Sequence, residues 1–362
     1  MEKNEIESAL REYVRENLSP SMKDIQFVAK IYKSFTDVLG SNNCLQIGSF
    51  PRYTAVIPLH DLDVLYKLGQ WNEANKNPKN ILEELAVRFK TNYVNPTSYK
   101  MSMMVQTHSI SFKYLNGEDE VFAVDIVPAM NRGKNEFGDN TYYVPEILKF
   151  RSQNKRQKFY EHVRSIGGRI DWIKTDPLGY ISVASAINNG NDDFRKSVKF
   201  IKGWKNYCKE LNENFKLKSF HLEQLATIEF QNNIGLTIFD AVYKVLSNLK
   251  QSILKAHIPD RADRSKYIDQ YVEELSGDQI DLIGRAIDAV VANLDHFEGN
   301  IERVIKSGYQ NNHEHEKSAK EQALRNISKS ILGGAAYSDR SGAISRDQSG
   351  VKHKAHTNYG GG

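Results

Sequence analysis

Aspartate alternates with apolar residues in the segment Asp61-Leu62-Asp63-Val64, which follows a break at Pro58. This alternation predicts a strand, because successive side chains of a strand point to opposite faces. The two carboxylates then share one face, where like charges are costly unless a cation neutralises them. Carboxylate oxygens suit Mg²⁺ or Mn²⁺, so the segment predicts a buried strand that carries a metal site.

A further strand candidate carries one more acid. Residues 121–127 are apolar except for Asp125, and the turn-forming Asn116-Gly117 separates them from another strand candidate at residues 109–114. A lone carboxylate in an apolar strand needs a partner or a metal. We therefore predict that Asp125 joins Asp61 and Asp63 in a two-metal site, in which all three acids are catalytic residues and metal ligands.

The turn at Gly48-Ser49 follows a short apolar strand candidate, residues 44–47. Ser49 can offer its hydroxyl and backbone N–H to phosphate oxygens, so a phosphate site would adjoin the metal site. Gly-Ser turns are common, and an Asp-x-Asp pair is more often a solvated or capping pair. The order of Gly-Ser, acid pair and lone acid on a further strand is more specific, and it favours nucleotidyl transfer.

Composition limits the classes of protein that fit. The 362 residues are 40% hydrophobic and 26% charged, which is enough for a sizeable core. A net charge of +4 does not predict extended nucleic-acid binding. The two cysteines, Cys44 and Cys208, lack metal-ligand spacing. Since no signal-type or membrane-length apolar stretch occurs, we expect a cytoplasmic protein without a membrane partner.

The periodicity of apolar residues and the composition change along the chain. Helical periodicity over residues 6–18 and 22–39 predicts two opening helices, and similar periodicity recurs over residues 194–211, 234–254 and 267–294. After residue 313 apolar residues thin out and Gly, Ser, Lys and His become frequent. We predict a catalytic domain with N-terminal helices over 1–178, a helical nucleotide-binding lobe over 179–312 and a disordered tail over 313–362.

Three segments resemble the cGAS/DncV-like nucleotidyltransferases, whose bacterial members are the CD-NTases of CBASS anti-phage signalling: residues 48–56 (GSFPRYTAV), 60–64 (HDLDV) and 124–129 (VDIVPA). The resemblance implies an α+β fold, with a polymerase-beta-like mixed sheet, packed helices and a mostly helical second lobe. It also implies an enzyme that uses Mg²⁺ to join ATP and other NTPs into a cyclic di- or trinucleotide. That product would activate a separate downstream effector.

The helical half also resembles this family. Residues 198–204 (VKFIKGW) and 217–223 (LKSFHLE) are similar to its phosphate-binding segment, and Lys202 and Ser219 are the matching nucleotide-binding positions. Arg195, Lys199 and Lys202 recur at three- and four-residue steps, which predicts a basic helix face suited to a triphosphate. A solvated face is the alternative for Arg195 and Lys199. Tyr180 is a candidate for stacking on a base.

The chain ends in Gly360-Gly361-Gly362. This end resembles the C-termini of those CD-NTases that a ubiquitin-transfer-like partner conjugates to other proteins. A plain disordered end is the alternative.

Other functions fit parts of the pattern. A terminal nucleotidyltransferase that extends RNA would share the Gly-Ser and three-acid arrangement, but the modest net charge argues against its long basic track. A small enzyme that transfers nucleotides to antibiotics or proteins would lack this helical second half. An inactive nucleotide-binding module is a further alternative, which the loss of an acid would have favoured, but all three acids are present.

Overall fold

In the computed structural model, the described residues are 3–72, 78–106, 108–146 and 172–306, together with three two-residue strands. Residues 1–307 form one compact unit and residues 308–362 a second. In the second unit the structure describes strands Tyr337–Ser338, Ile344–Ser345 and Val351–Lys352, which pair antiparallel. The rest of the tail predicted at 313–362, including Gly362, lies outside the described residues.

The two predicted opening helices are present. Helix α1 spans Lys3–Tyr13 and continues through a π-helical turn, Val14–Leu18, and helix α2 spans Met22–Leu39. A capping box starts α2: the Ser21 side chain accepts from the Asp24 backbone N–H, and the Asp24 carboxylate accepts from the Ser21 backbone N–H. Apolar residues at helical spacing bury one face of each helix.

The described strands of the first unit form one mixed sheet. The strands are β1 Cys44–Ile47, β2 Asp61–Gln70, β3 Lys100–Val105, β4 Ile110–Asn116, β5 Asp119–Lys134, β6 Asn140–Pro145 and β7 Trp172–Thr175. The order in the sheet is β1-β2-β5-β4-β3, and β6 joins the far part of β5 to β7. Strands β2 and β5 are parallel, and the other neighbours are antiparallel.

The two faces of the sheet are different. Leu62 and Val64 of β2 face the main core, where α2 and helix α3, Pro78–Asn92, pack on the sheet. Asp61, Asp63 and Leu65 point to the opposite face, as the alternation in the sequence predicts. Leu65 joins a smaller apolar cluster on that face, together with partly buried side chains from β1 and the helical half.

The second half of the described chain is mostly helical. Helix α8 begins at Gly277, and not near residue 267 as the periodicity predicted, because Ser276 forms a capping box with Gln279. A 3₁₀ turn, Gln270–Glu274, precedes it. The helices are α4 Pro177–Gly190, α5 Asp193–Leu211, α6 Ser219–Asn232, α7 Ile238–Ser252, α8 Gly277–Asp295 and α9 Ile301–Ile305. The boundary predicted at 178/179 falls in the first turn of α4.

None of the helices that the structure describes has the length and apolar character that a membrane crossing requires.

Candidate active site

Three aspartates lie next to one another on the sheet face that points away from the main core. Asp63 on β2 is the register partner of Asp125 on the parallel strand β5. Asp61 lies two residues before Asp63 on the same face of β2. Asp61 is exposed, whereas Asp63 and Asp125 are half-buried. The structure therefore brings together the three acids that the sequence singled out.

These carboxylates destabilise one another's charged forms. Burial and, after it, the charges of Asp61 and Asp125 raise the pKa of Asp63 to about 7, against the opposing effect of Arg52. Burial also raises the pKa of Asp125, and a hydrogen bond from the Ser111 side chain acts in the opposite direction. Asp61, Asp63 and Asp125, which form the acidic wall of the site, thus carry more negative charge than the neighbouring residues neutralise.

The donor set fits a hard divalent cation. Three carboxylates from adjacent sheet positions supply the oxygen ligands that Mg²⁺ and Mn²⁺ prefer, and a cation would relieve the repulsion that raises the pKa of Asp63. In the described ranges, no three His, Cys, Asp or Glu side chains are close enough together to hold a metal ion in their present conformations. Binding would therefore require the carboxylates of Asp61, Asp63 and Asp125 to turn toward a common ion.

The turn after β1 packs directly on the acidic wall. Ile47, the last residue of β1, is the register partner of Asp63, so Gly48 lies beside that carboxylate. Gly48 has φ +77°, and a Cβ at this position would lie 2.2 Å from Asp63 Oδ2. Only glycine combines this backbone conformation with so close an approach. Ser49 follows in the turn, and its carbonyl oxygen accepts from the Thr54 backbone N–H at 3.0 Å.

A buried ion pair fixes this turn to the helical half. The guanidinium of Arg52 donates to the carboxylate of Glu223 on α6, and both side chains are almost fully buried. Thr54 Oγ1 donates to Glu223 Oε2 at 2.9 Å. Lys202 Nζ, on α5, donates to the Thr54 carbonyl oxygen at 2.7 Å. Sequence analysis missed Arg52 and Glu223 as partners, because neither has a local signal for a contact across 171 positions.

The first two residues of the basic face of α5 contact neighbouring segments. Arg195 Nε donates to the Arg52 carbonyl oxygen at 3.0 Å, and its guanidinium lies 4.6 Å from the ring centroid of Tyr53. Lys199 Nζ donates to Ser19 Oγ at 3.0 Å. Both side chains thus hold neighbouring segments in place, and the role of Arg195 and Lys199 in triphosphate binding stays a prediction.

Lys205, which sequence analysis did not select, is the lysine that contacts Ser219. Its Nζ lies 3.2 Å from Ser219 Oγ, whereas Lys202, the predicted partner of Ser219 in phosphate binding, is directed to the Thr54 carbonyl. Ser219 is the first residue of α6, and no side chain caps this helix start. Uncapped N–H groups and the positive end of the helix dipole both favour an anion at this position.

One cleft of about 850 Å³ runs between these elements. Its lining includes Asp61 and Asp63 from the sheet and Lys205 from α5, so walls of opposite charge face the same space. Six of the predicted site residues line it, and Asp125 lies beside Asp63 on the adjoining strand. The predicted residues in the lining are Gly48, Ser49, Asp61, Asp63, Lys202 and Ser219; the two lysines and three acids that sequence analysis missed are Lys205, Lys209, Glu210, Glu223 and Asp260.

Tyr180, the predicted base-stacking residue, also lines this cleft. Its ring packs edge-to-face on Phe220, with the ring centroids 4.9 Å apart. Most of the Tyr180 side chain is buried, and only 9% of the residue is exposed. Its role in base stacking stays a prediction.

Comparison with known proteins gives a fold match. No protein-family model and no curated protein matches the sequence. CdnC of E. coli MS115-1 in complex with HORMA-deltaN is similar in structure, with a TM-score of 0.60 and 14% identity over 83% of this chain and 96% of that one. CdnC with ATP has a TM-score of 0.59 and 16% identity over 83% and 97% of the two chains.

A third structure, the CD-NTase CdnG of Bradyrhizobium diazoefficiens in complex with GTP, has a TM-score of 0.58 and 12% identity over 83% of this chain and 97% of that one. The chain therefore has the fold of the CD-NTases, and the α+β fold predicted from the sequence is confirmed.

Proposed function

We propose that this chain is a nucleotidyltransferase that joins nucleoside triphosphates into a cyclic di- or trinucleotide. The observation that carries the proposal is the cleft whose acidic wall, with Asp61 and Asp63, faces a basic wall with Lys205 and the uncapped start of α6. A triphosphate that is attacked at its α-phosphorus needs both walls at once. The match to CdnC with ATP and to CdnG with GTP supports NTPs as substrates.

Different residues of the cleft bind the triphosphate and the metal ions. Lys205 and Ser219 hold the triphosphate by charge-assisted hydrogen bonds, and Ser49 offers its hydroxyl and N–H from the opposite side. Asp61, Asp63 and Asp125 would hold Mg²⁺, or Mn²⁺. When bound, the metal ions lower the pKa of the attacking sugar hydroxyl and offset negative charge on the leaving pyrophosphate.

The bond changes follow from this placement. A sugar hydroxyl of one nucleotide gives its proton to water, and its oxygen forms a bond to the α-phosphorus of the next nucleotide. The bond between the α-phosphorus and the bridging oxygen breaks, and pyrophosphate leaves. A later transfer within the linear product would close the ring. Gly48 keeps the phosphate turn close to Asp63, so that substrate and acids stay in register.

The biological role is part of the same proposal. The cyclic product would activate a separate effector protein in anti-phage defence, within the cytoplasm, where the sequence leads us to expect the enzyme. A partner that conjugates Gly362 to other proteins would add a second level of control. Deletion of Gly362 should then abolish conjugates in cells that contain the partner, and undiminished conjugates would contradict this part.

The test is product analysis. Purified protein is incubated with all four labelled NTPs and Mg²⁺, beside an Asp61→Ala/Asp63→Ala control, and the products are treated with phosphatase and resolved by mass. We expect a small phosphatase-resistant product that the control lacks. Linear or RNA-attached products would overturn cyclisation and favour a terminal transferase. Failure to release pyrophosphate by a folded protein that binds NTPs would overturn catalysis.

A further inference from the structure

Asp260 lines the same cleft as the acids and lysines of the candidate active site. Its backbone N–H donates to the Lys266 carbonyl oxygen at 2.9 Å. Its Oδ1 accepts from the Ala262 N–H at 2.7 Å and from the Tyr180 hydroxyl at 3.5 Å. The carboxylate is thus fixed through both its backbone and one of its two oxygens.

No cation neutralises this carboxylate among the residues that the structure describes. Arg261, the next residue, directs its guanidinium to Asp139 and Asp176 instead. No described residue donates a hydrogen bond to Oδ2 of Asp260, and this oxygen is not fully buried. Because Asp260 lines the cleft, Oδ2 can accept a hydrogen bond from a ligand in it. Burial raises the pKa of Asp260, so an N–H donor from a ligand would stabilise its charged form.

The surroundings of Asp260 suit the base of a nucleotide and not its phosphates. A carboxylate repels a triphosphate, whereas the amine of Lys205 and the start of α6 attract one. Tyr180 and Phe220, whose rings pack edge-to-face, line the cleft together with Asp260. Aromatic side chains of this kind offer a surface for a flat base.

We propose that Asp260 is a specificity-determining residue whose Oδ2 accepts a hydrogen bond from the amino group of a nucleobase. This inference rests on the function proposed above. Adenine, guanine and cytosine carry such an amino group. Uracil presents carbonyl oxygens in its place, which the carboxylate repels. The cleft therefore selects amino-bearing nucleotides against UTP.

The test is Asp260→Asn, which keeps an oxygen for Ala262 and Tyr180 and replaces the open oxygen by an amide donor. Equilibrium binding and kcat/KM are measured for each of the four NTPs. We expect the preference of the wild type for its favoured amino-bearing NTP over UTP to fall by about 10-fold or more in the variant. Asp263→Asn is the control, because Asp263 belongs to the same loop but does not line the cleft.

The outcomes separate this inference from the proposed function. If wild type binds UTP as well as the other NTPs, or if Asp260→Asn leaves the preference unchanged, the inference is wrong and nucleotidyl transfer stands or falls on its own test. If the binding preference shifts but no NTP is turned over by wild type, base selection stands and the proposed function fails. If Asp260→Asn does not fold, Tyr180→Phe, which removes only the hydroxyl that positions Oδ1, should weaken the same preference, and an unchanged preference would contradict the inference.

Discussion

The two walls of the cleft are built from different secondary structure. On the acidic wall, the ladder of parallel strands fixes Asp63 beside Asp125, and burial leaves their charges without full compensation. On the basic wall, Lys205 reaches Ser219 from helix α5 through a long side chain with many rotamers. When a carboxylate fixed on a strand is lost, no neighbouring group can take its position, whereas neighbouring lysine side chains can move to replace part of a lost contact. We therefore expect severe effects on the acidic wall and graded effects on the basic wall.

The largest effect is expected at the centre of the acidic wall. Asp63→Asn keeps the shape of the side chain but removes a metal-binding charge, so nucleotidyl transfer should fall by at least about 10³-fold. The thermal midpoint of the metal-free protein should not fall, because a buried carboxylate that is poorly neutralised is removed. Asp119→Asn, at the exposed start of β5, is the matched control and should keep full activity. Substantial activity in Asp63→Asn would contradict the expectation that substitutions on the acidic wall are more severe than those on the basic wall.

The next largest effect concerns the link between the walls. Glu223→Gln leaves Arg52 buried without a counter-charge, which should lower the free energy of unfolding by about 3 kcal/mol. Glu229→Gln, on the same helix, removes a carboxylate that accepts hydrogen bonds from the side chains of Asn233 and Asn248 and forms no ion pair within the described chain, so its cost should be well under half as large. Denaturant unfolding measures the free energy of unfolding of both variants. Equal decreases would show that the buried Arg52–Glu223 pair does not stabilise the contact between the turn and α6.

The fit of the turn against the acidic wall can be tested with two glycines. Gly48→Ala would place a Cβ 2.2 Å from Asp63 Oδ2. Gly138 also has a positive φ, +81°, but a Cβ added there would have no other atom within 4 Å. Both substitutions carry a backbone cost of about 1–2 kcal/mol, but only the first displaces the carboxylate. We expect about a 10²-fold loss of kcat for Gly48→Ala and near wild-type kcat for Gly138→Ala. Equal kcat values would reject the close packing as a functional constraint.

The strand half of the site could be predicted from the sequence. Residues two positions apart on a strand lie on the same face, which places Asp61 and Asp63 together. The lone acid in residues 121–127 identifies Asp125 as the third member of the site. The strand candidates and the two opening helices followed from similar local patterns, whereas the mixed sheet was implied by the family resemblance. These inferences held because a strand or a helix start depends mostly on residues that are close in sequence.

The helical half could not be assigned in the same way. Helix α5 carries Lys199, Lys202 and Lys205 at three-residue steps, and this spacing alone does not decide which amine contacts Ser219. The choice depends on tertiary contacts: Lys202 is drawn to the Thr54 carbonyl oxygen and Lys199 to Ser19, which leaves Lys205 for Ser219.

A graded effect on the basic wall is expected from Lys205→Met. Loss of one charge-assisted hydrogen bond to phosphate should raise KM for ATP by about 10-fold, with a smaller change in kcat. Lys199→Met removes a lysine of the same helix that contacts Ser19 instead of the cleft, so its KM should change by less than about 2-fold. Steady-state kinetics measure both, and similar KM values for the two variants would mean that Lys205 does not bind the substrate.

The smallest effect is expected in the pH dependence of nucleotide binding. Burial lowers the pKa of Lys205 to about 8, helped by the charges of Lys209 and Lys202. A bound triphosphate favours the protonated amine, so affinity is full below this pKa and weakens as pH rises through it. Between about pH 7.5 and 8.5 the dissociation constant of ATP, measured without turnover, should rise about 3-fold. Lys205→Arg stays charged over this range and should reduce the slope, and any residual slope would belong to Lys202, whose pKa burial also lowers to about 8. An unchanged slope in Lys205→Arg would show that the basic wall responds to pH through Lys202 alone.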